Sequence, residues 1–271
     1  MPSILVYLGL IAAFVGFVCV LKPIQRIGLG TRVRGLIAMA IGLVLFFAGL
    51  FTPVRVIRVA RPQMALDGVM PEFSEHEVHS IRVHATPERV YQSLQAVTPT
   101  EIRWFALLMW LRSPYRPATA RAFGSKPMMT VLGRMGFRKM AEEPPHEIVM
   151  GGIGRFGRPR AGDREIKAPN APSVGQSARI SNADDFRAFD QPGYAKIVAN
   201  FVVIDEGNGW SRVRTETRVL GTDREAQTRF AIYWRVIYPG SAIIRREWLT
   251  AIKRRAEGPW PGPEKTGESP S

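Results

Sequence analysis

Two long uncharged runs at the start of the chain constrain what it can fold into more than any other feature. Residues 1–21 carry no charged side chain, and residues 35–54 form a second uncharged run. A helix needs about 20 residues to cross a hydrocarbon core roughly 30 Å thick. We therefore predict transmembrane helices over 1–21 and 35–54, joined by a basic loop over 22–34.

A cleaved secretory signal peptide is one alternative for the first run. Such peptides carry basic residues before a short apolar core and end in a small-residue cleavage site. Here nothing basic precedes Ile4, and Leu21-Lys22-Pro23 is a poor cleavage sequence. A buried core hairpin is the other alternative. The length of the two runs favours membrane helices over both.

The short connection over 22–34 predicts that the two helices form an antiparallel hairpin. Small residues recur on the first helix at Ala12 and Gly16, and on the second at Ala38 and Gly42. This spacing lets helix backbones approach closely in lipid. We expect these residues to pack the hairpin, and a homodimer face is the alternative.

The formal net charge of +14 is distributed unevenly along the chain. Residues 1–51 contain no acidic side chain and carry +4, which leaves +10 for the rest. Four basic residues lie in the loop 22–34, against Arg55, Arg58 and Arg61 after the second run, so the flanking charges are almost balanced. Considered alone, the first run has basic residues, Lys22 and Arg26, only on its C-terminal side. This favours a cytoplasmic loop, with the soluble domain on the other side of the membrane. We expect a two-pass protein of the cell (inner) membrane, and the facing of its domain stays open.

The remainder of the chain divides into three parts. Residues 55–71 are predicted to be a juxtamembrane linker, and residues 72–257 are long enough for one folded domain. Residues 258–271 contain four prolines and are predicted to be a disordered tail.

The domain begins with a strand and ends with a long helix. Residues 77–85 alternate between two faces, which predicts a strand. Thr86-Pro87-Glu88 then supplies an N-cap, a first-turn proline and an acidic residue, which predict the start of a helix. Apolar residues recur at helical intervals from Asp223 to Ala256, so we predict a final helix that Pro239 kinks or splits.

Shorter elements are predicted between these two. They are a helix over 101–111, a proline-rich loop over 113–127, a strand over 146–150, a loop over 168–177, and strands over 195–204 and 211–220. The sequence Asp205-Glu206-Gly207-Asn208-Gly209 predicts a tight turn between the last two strands.

This order of elements resembles the helix-grip fold of the START-like, or SRPBCC, superfamily, which includes polyketide cyclases and lipid-transfer proteins. The resemblance is carried by IRVHATPERVYQSL at 81–94 and by TETRVLGTDREAQTRFAIYWRVIYPGSAIIRREWLTAIKRRAE at 215–257. It implies an α+β fold in which a curved antiparallel sheet wraps around the long C-terminal helix and leaves an apolar cavity. The two-helix anchor, the proline-rich insertion and Pro239 depart from the simplest members.

A cavity of this kind implies a set of candidate ligand-binding residues. They are Trp104, Phe105, Phe201, Arg218, Phe230, Tyr233, Trp234 and Trp248. Aromatic walls with a few polar groups suit apolar ligands, although most large aromatic residues at such spacing are simply core. Arg218 shares one face of its strand with Arg212, Arg214 and Glu216. We expect that face to be solvated, and the alternative is that Arg218 anchors an acidic head group.

The final helix is strongly basic, and a bilayer is the nearest polyanion for a tethered domain. The predicted membrane-surface residues are Arg55, Arg58, Arg61, Arg245, Arg246, Lys253, Arg254 and Arg255. Each basic residue near anionic lipid contributes roughly 1 kcal/mol. A solvated helix face and nucleic-acid binding are the alternatives, and we predict no nucleic-acid partner.

No motif predicts a metal or a cofactor. The run Gly152-Ile153-Gly154-Arg155-Phe156-Gly157 follows a strand, but Arg158-Pro159-Arg160 cannot begin the helix that dinucleotide binding requires. His76 and His84 lie on the opposite face of the predicted strand from His79, because their separations are odd. Three histidines divided in this way do not form a metal site.

Catalytic residues are not predicted either. The single cysteine, Cys19, lies in the first apolar run, and no nucleophile elbow is present. His84 and Glu216 are the one acid–base pair that a helix-grip sheet brings within possible reach. An ordinary polar edge is the preferred interpretation of both residues.

We therefore expect a membrane-anchored START-like domain that binds a lipid or another hydrophobic small molecule without covalent chemistry, for transfer or sensing. A cyclase- or hydratase-like enzyme of the same superfamily is one alternative, and a ligand-free membrane assembly module is another. The expected partners are the lipid bilayer and the hydrophobic molecule. The sequence determines neither the ligand's identity nor the oligomeric state.

Overall fold

Two apolar helices open the computed structural model, which describes residues 2–112, 124, 126–155 and 180–259. Helix α1 (Pro2–Leu21) and helix α2 (Arg32–Leu50) are long and apolar enough to span a membrane. They pack against each other along their length in antiparallel directions. A short 3₁₀ turn, Gln25–Ile27, lies in the connection. The predicted pair of apolar helices and its hairpin arrangement are confirmed.

Glycine residues bring the two helices into backbone contact. Gly35, Gly42 and Gly49 recur every seven residues on α2 and are all buried, a repeat typical of left-handed packing. A Cβ atom on Gly42 would overlap the backbone of Ala13, and one on Gly16 would overlap the backbone of Met39. Gly16 and Gly42 therefore pack the hairpin, as predicted.

Among the described residues, seven strands follow the hairpin and form two antiparallel sheets. Strands β1 (Ile57–Arg58) and β2 (Glu72–Phe73) pair with each other. The larger sheet consists of β3 (Glu75–Val83), β4 (Arg138–Glu143), β5 (Glu147–Gly154), β6 (Ala195–Gly207) and β7 (Trp210–Gly221). Its order is β3-β7-β6-β5-β4, so the first and last of these strands are neighbours.

Six further helices lie around the larger sheet in the described parts of the chain. They are α3 (Ala65–Val69), α4 (Pro87–Ala96), α5 (Phe105–Arg112), α6 (Met128–Arg134), α7 (Ala183–Ala188) and α8 (Arg224–Glu257). Asp223 caps α8 by accepting a hydrogen bond from the Ala226 amide at 2.7 Å. The α+β class, the antiparallel sheet and the long final helix are confirmed.

The two faces of the sheet are covered by different helices. We call the face under α8 the inner face; there Phe201 of β6 and Val213 of β7 pack with Trp248 of α8. We call the other face the outer face; there Val149 of β5 packs with Leu66 of α3 and other apolar residues. Each strand sends alternate side chains to the two layers, so both faces are buried.

Several elements differ from the sequence predictions. Helix α8 is assigned as one continuous helix through Pro239, so it is not split. Helices α3, α6 and α7 are not predicted, because five to seven residues are too short to establish a helical periodicity. Strand β4 is not predicted, because its apolar residues Met140 and Ala141 are adjacent and do not alternate with polar ones. The predicted linker over 55–71 includes α3, whose Leu66 is fully buried against the domain. The loop 168–177, most of the loop 113–127 and the tail beyond 259 lie outside the described residues.

Candidate functional site

The hairpin and the domain meet at one buried arginine. Arg235 of α8 donates hydrogen bonds from Nη1 to the Leu50 carbonyl oxygen at 2.5 Å and from Nη2 to the Thr52 carbonyl oxygen at 2.8 Å. These two oxygens lie at and just beyond the C-terminal end of α2, where unpaired carbonyls and the helix dipole favour a cation. The side chain therefore joins the long helix of the domain to the end of the second apolar helix.

A second contact lies on the next residue of α8. The Tyr7 hydroxyl of α1 donates a hydrogen bond to the Val236 carbonyl oxygen. Pro239 has no N–H, so the Arg235 carbonyl lacks its usual helical partner, and the ring disturbs the turn that contains Val236. The helix thus meets the hairpin within the turn that proline weakens.

A buried polar cluster lies on the inner face beside this junction. Glu77 of β3 is fully shielded from solvent, and its Oε1 lies 2.7 Å from Nε2 of His79. Its Oε2 accepts a hydrogen bond from the Ser241 hydroxyl of α8 at 2.7 Å. Both oxygens of the buried carboxylate are therefore satisfied, which offsets the cost of its burial.

Two arginines of α8 lie near acidic residues of β3. Burial raises the pKa of Glu75, and the positive charge of Arg235 opposes that rise. Burial lowers the pKa of Arg245, and the negative charge of Glu77 opposes that fall. The inner face therefore has a polar end where β3 lies under the middle of α8.

The other end of the inner face is aromatic. The rings of Phe201 and Trp248 lie 4.7 Å apart between centroids, and both residues are almost completely buried. Arg245 lies one turn before Trp248, with its guanidinium carbon 5.9 Å from the indole centroid. Nη1 of Arg245 and Nε1 of Trp248 are buried and have no hydrogen-bond partner within the described residues. Two unpaired donors thus lie where the polar and aromatic ends meet.

The predicted ligand-binding residues do not form one group. Phe105, Phe201 and Trp248 belong to the core cluster of the inner face. Phe230 and Trp234 form a separate cluster with Ala195 and Val219, against which Tyr233 packs. Trp104 is half exposed and does not belong to these clusters. The remaining residue, Arg218, lies on the outer face.

Arg218 belongs to a buried ion network, which corrects the expectation of a solvated charged face. It donates from Nε to Glu216 at 2.7 Å, from Nη2 to Asp67 at 2.7 Å and from Nη1 to the Met70 carbonyl oxygen at 3.0 Å. Its guanidinium also lies over the Phe73 ring at 4.8 Å. The partners from α3 and β2 cover the face, so Arg218 stabilises the domain and does not anchor a ligand on the inner face.

A second buried carboxylate holds α3 on the outer face. Glu147 of β5 accepts hydrogen bonds from the Ala65 amide at 2.7 Å and from the Leu66 amide at 3.3 Å. It also accepts one from the Asn200 side chain at 2.7 Å. No sequence pattern indicated these contacts, because Glu147 and Ala65 are 82 residues apart.

The predicted membrane-surface residues divide by position. The first three, Arg55, Arg58 and Arg61, follow α2 and are exposed. On α8, Arg246 is exposed, whereas its neighbour Arg245 approaches Glu77 of the inner face.

The last three basic residues of α8 lie far from the hairpin. Lys253 donates to the Arg82 carbonyl oxygen at 2.7 Å, and Arg255 pairs with Glu101 at 2.8 Å. Arg254 donates to the Glu101 carbonyl oxygen at 2.8 Å. They are about 27 Å further along α8 than Val236 at 1.5 Å per residue. All three hold the end of α8 against the domain.

The proposed acid–base pair of His84 and Glu216 does not form. His84 stacks on Trp210 at 4.5 Å between centroids, beyond the end of β3. Glu216 pairs across the sheet with Val78, six residues before His84, or about 20 Å along the strand. Glu216 is also engaged by Arg214 and Arg218 on the outer face.

The remaining sequence motifs have simple positions. Gly152 and Gly154 lie within strand β5, paired with β6, and Gly157 lies outside the described residues. Within the part of the chain that the structure describes, no group of three His, Cys, Asp or Glu side chains could hold a metal ion. Cys19 is buried between the two apolar helices.

Comparison with known proteins identifies no family. No family model matches the chain, and no curated protein matches it significantly. A hypothetical protein of Helicobacter pylori is 8% identical, with 74% of this chain and 99% of that chain covered and a TM-score of 0.32. A protein of Thermus thermophilus is 9% identical, with 67% and 97% covered and a TM-score of 0.24. At these TM-scores the likenesses establish no shared fold.

Proposed function

We propose that the chain is a membrane-anchored START-like domain of helix-grip architecture that binds a lipid or another hydrophobic small molecule non-covalently at the bilayer. Binding would serve transfer or sensing. The mechanism is desolvation of an apolar molecule between the inner face of the sheet and α8.

The exposed surface of the hairpin supports the membrane anchor. Phe14, Leu21 and Val44 are each about two-thirds exposed, although the helices that carry them are strongly apolar. A core helix of a soluble protein would bury such side chains, and so much exposed apolar surface is costly in water. A bilayer covers it without any further protein contact.

The strand order supports the helix-grip architecture. Strand β3 lies beside β7, and the helices α4, α5 and α6 occupy the connection between β3 and β4. The long helix α8 then crosses the inner face. The resemblance to START-like proteins implies an antiparallel sheet that wraps around the C-terminal helix, and the crossing of α8 over this antiparallel sheet supports it.

The observation that carries the ligand proposal is the pair of unpaired donors on α8. A buried polar group without a partner costs about 1–3 kcal/mol, and Nη1 of Arg245 and Nε1 of Trp248 have no partner among the described residues, which supports an acceptor on a bound molecule. The neighbouring Phe201 ring suits an apolar body. An amphiphilic molecule with its acceptor group at Arg245 matches both ends of this surface.

The test is recovery of bound molecules from the full chain. The protein is purified from membranes in mild detergent, and its small-molecule content is extracted and identified by mass spectrometry. We expect one class of lipid or hydrophobic molecule in near-stoichiometric amount. Repeated recovery of an empty protein that also takes up no hydrophobic fluorescent probe would overturn the proposal and favour the ligand-free assembly module.

Two pairs of variants locate the site. Arg245→Gln removes an unpaired donor, and Arg246→Gln is its exposed neighbour on α8. Trp248→Phe removes an indole N–H while keeping an aromatic ring, and Trp210→Phe does the same beyond the end of β3, where Trp210 stacks on His84. We expect Arg245→Gln and Trp248→Phe to lower the recovered molecule five- to tenfold, and the controls to retain it. Equal retention in all four would exclude this site.

Lys22 and Arg26, which directly follow the first apolar run, favour a cytoplasmic loop at 22–34 and a domain on the opposite side of the membrane. Protease treatment of intact cells and spheroplasts tests this facing. We expect the domain to be cleaved in spheroplasts, where the outer face of the inner membrane is open. Protection in spheroplasts together with cleavage in inverted vesicles would reverse the orientation.

A further inference from the structure

Helix α8, which contacts the hairpin at Val236, and helix α5, which packs on α8, carry exposed apolar side chains. We call this surface the interfacial patch; its members are Trp104, Leu107, Trp110, Val236 and Ile243, each between 42% and 53% exposed. Val236 and Ile243 are seven residues apart and therefore lie on one face of α8. Leu107 and Trp110 are one turn apart on α5. Single apolar residues on a surface are ordinary, but four large ones on two neighbouring helices, with Trp104 directly before α5, are not.

Two contacts bring the patch to the end of the hairpin. The Tyr7 hydroxyl of α1 bonds to the Val236 carbonyl, and a Cβ atom on Gly240 would lie 3.9 Å from Cδ2 of Leu108 on α5. These contacts lie one helical turn apart along α8. Helices α1 and α5 therefore both meet α8 around Pro239, which places the patch near the N-terminal end of α1.

The position of Tyr7 determines the depth of this contact. Tyr7 follows the first residue of α1 by five positions, or about 8 Å along the helix axis. Helical side chains tilt towards the N-terminus, and the N-terminal end of α1 lies beside the end of α2, where Arg235 joins the domain. When α1 spans a bilayer, Val236 therefore lies at the boundary between acyl chains and head groups.

The chemistry of α5 suits that boundary. Tryptophan is enriched at membrane interfaces, because its ring is apolar and its N–H remains hydrated. Trp104 has a φ of +63°, a conformation that residues other than glycine rarely adopt, and its ring remains half exposed. The Arg103 guanidinium lies 5.4 Å from that ring, where a cation can meet lipid phosphate.

We propose that the interfacial patch lies in the head-group region of the bilayer, as a second and non-spanning membrane contact. It inserts Leu107, Trp110 and Ile243 among the upper acyl chains and orients the domain on the membrane. Amphipathic surfaces bind lipid in this way through their buried apolar area. The occupant is lipid and not a second copy of the chain, because the contact of Val236 with Tyr7 near the end of the apolar span places this part of α8 at the lipid surface. This inference rests on the proposed membrane anchoring.

The test measures how deeply single labelled positions lie in lipid. In a Cys19→Ala background, a nitroxide label is placed at Leu107→Cys on α5 and at Ile243→Cys on α8. Gln92→Cys, exposed on α4 at the opposite end of β3 from the hairpin, is the control in water. Phe14→Cys reports the exposed surface of the hairpin. The full chain is reconstituted at one copy per nanodisc of phosphatidylcholine and phosphatidylglycerol.

Relaxation of the nitroxide label by oxygen, which concentrates in lipid, is compared with its relaxation by a water-soluble nickel chelate. We expect the oxygen-to-nickel ratio at Leu107 and Ile243 to exceed that at Gln92 at least threefold. If both labels match Gln92 while Phe14 lies in lipid, the anchor stands and the second contact is overturned. If Phe14 also lies in water, the proposed anchoring itself fails. Single-copy discs exclude protection by a second chain.

Discussion

Arg235 donates a hydrogen bond to the carbonyl oxygen of Leu50 across 185 residues of sequence, at 2.5 Å. The contact joins the final helix of the domain to the end of the second apolar helix. Although this charged side chain belongs to the domain, it caps the C-terminal end of the hairpin. The orientation of the domain on the hairpin therefore depends on a helix–helix contact rather than on the linker alone.

The first prediction concerns this contact. Arg235→Gln removes the charge that satisfies the Leu50 and Thr52 carbonyl oxygens. Hydrogen bonds to charged groups contribute about 1.5–3 kcal/mol, so we expect a loss of about 2–4 kcal/mol of stability. Thermal unfolding in detergent measures this loss. We also expect faster hydrogen exchange at the backbone amides that follow Leu50. Arg224→Gln, exposed at the start of α8, is the control, and equal behaviour of the two variants would contradict the prediction.

The second prediction concerns the hairpin. A Cβ atom on Gly42 would overlap the backbone of Ala13, which cannot move without displacing helix α1. Gly42→Ala should therefore force the helices apart, and overpacking of this kind costs about 1–3 kcal/mol. Electrophoretic mobility in SDS reports how compact the hairpin is. Ala40→Val, on the exposed side of α2, should leave the mobility unchanged, and an unaltered Gly42→Ala hairpin would refute the packing.

The third prediction concerns the ion network of the outer face. Arg218→Met leaves Asp67 buried without its cation, and breaking a buried pair costs about 3–5 kcal/mol. Adding Asp67→Asn removes that unpaired charge, so the double variant should be less destabilised than the sum of the single variants. Chemical unfolding of all three variants measures this coupling. Strict additivity would show that the two residues act independently.

The fourth prediction concerns acid stability. Burial opposes ionisation of Asp67, but hydrogen bonds from the Gln63 amide and Arg218 outweigh burial and lower the pKa of Asp67 below 3.8. A carboxyl group with a lowered folded pKa stabilises the fold above its unfolded pKa, and this stability is lost as the pH falls through the folded pKa. Amide protection of α3 should hold above about pH 5 and decrease below pH 3.8.

Hydrogen exchange of α3 between pH 6 and pH 3 measures this dependence. Asp67→Asn should lower the protection at neutral pH and remove most of its acid dependence. Asp184→Asn on α7 is the control, because the Asp184 side chain is largely exposed. The same acid dependence in wild type and Asp67→Asn would assign it to another group.

The sequence by itself predicted every element with a long or well-marked pattern. The two uncharged runs became α1 and α2, because a stretch of 20 apolar residues has few alternatives. Thr86-Pro87-Glu88 starts α4 at Pro87, since capping depends on neighbouring residues. Strands β6 and β7 and the turn between them were equally local features.

Tertiary structure alone decided which charges are buried. Arg218 and Arg212 alternate with apolar residues in the same way along β7, yet α3 covers Arg218 and leaves Arg212 half-buried beside the exposed turn. Arg245 and Arg246 are adjacent in sequence. Their different positions around α8 place Arg245 towards the inner face and leave Arg246 exposed to solvent. Burial of a charge depends on partners distant in sequence, such as Asp67 for Arg218 and Leu50 for Arg235, and periodicity carries no information about such partners.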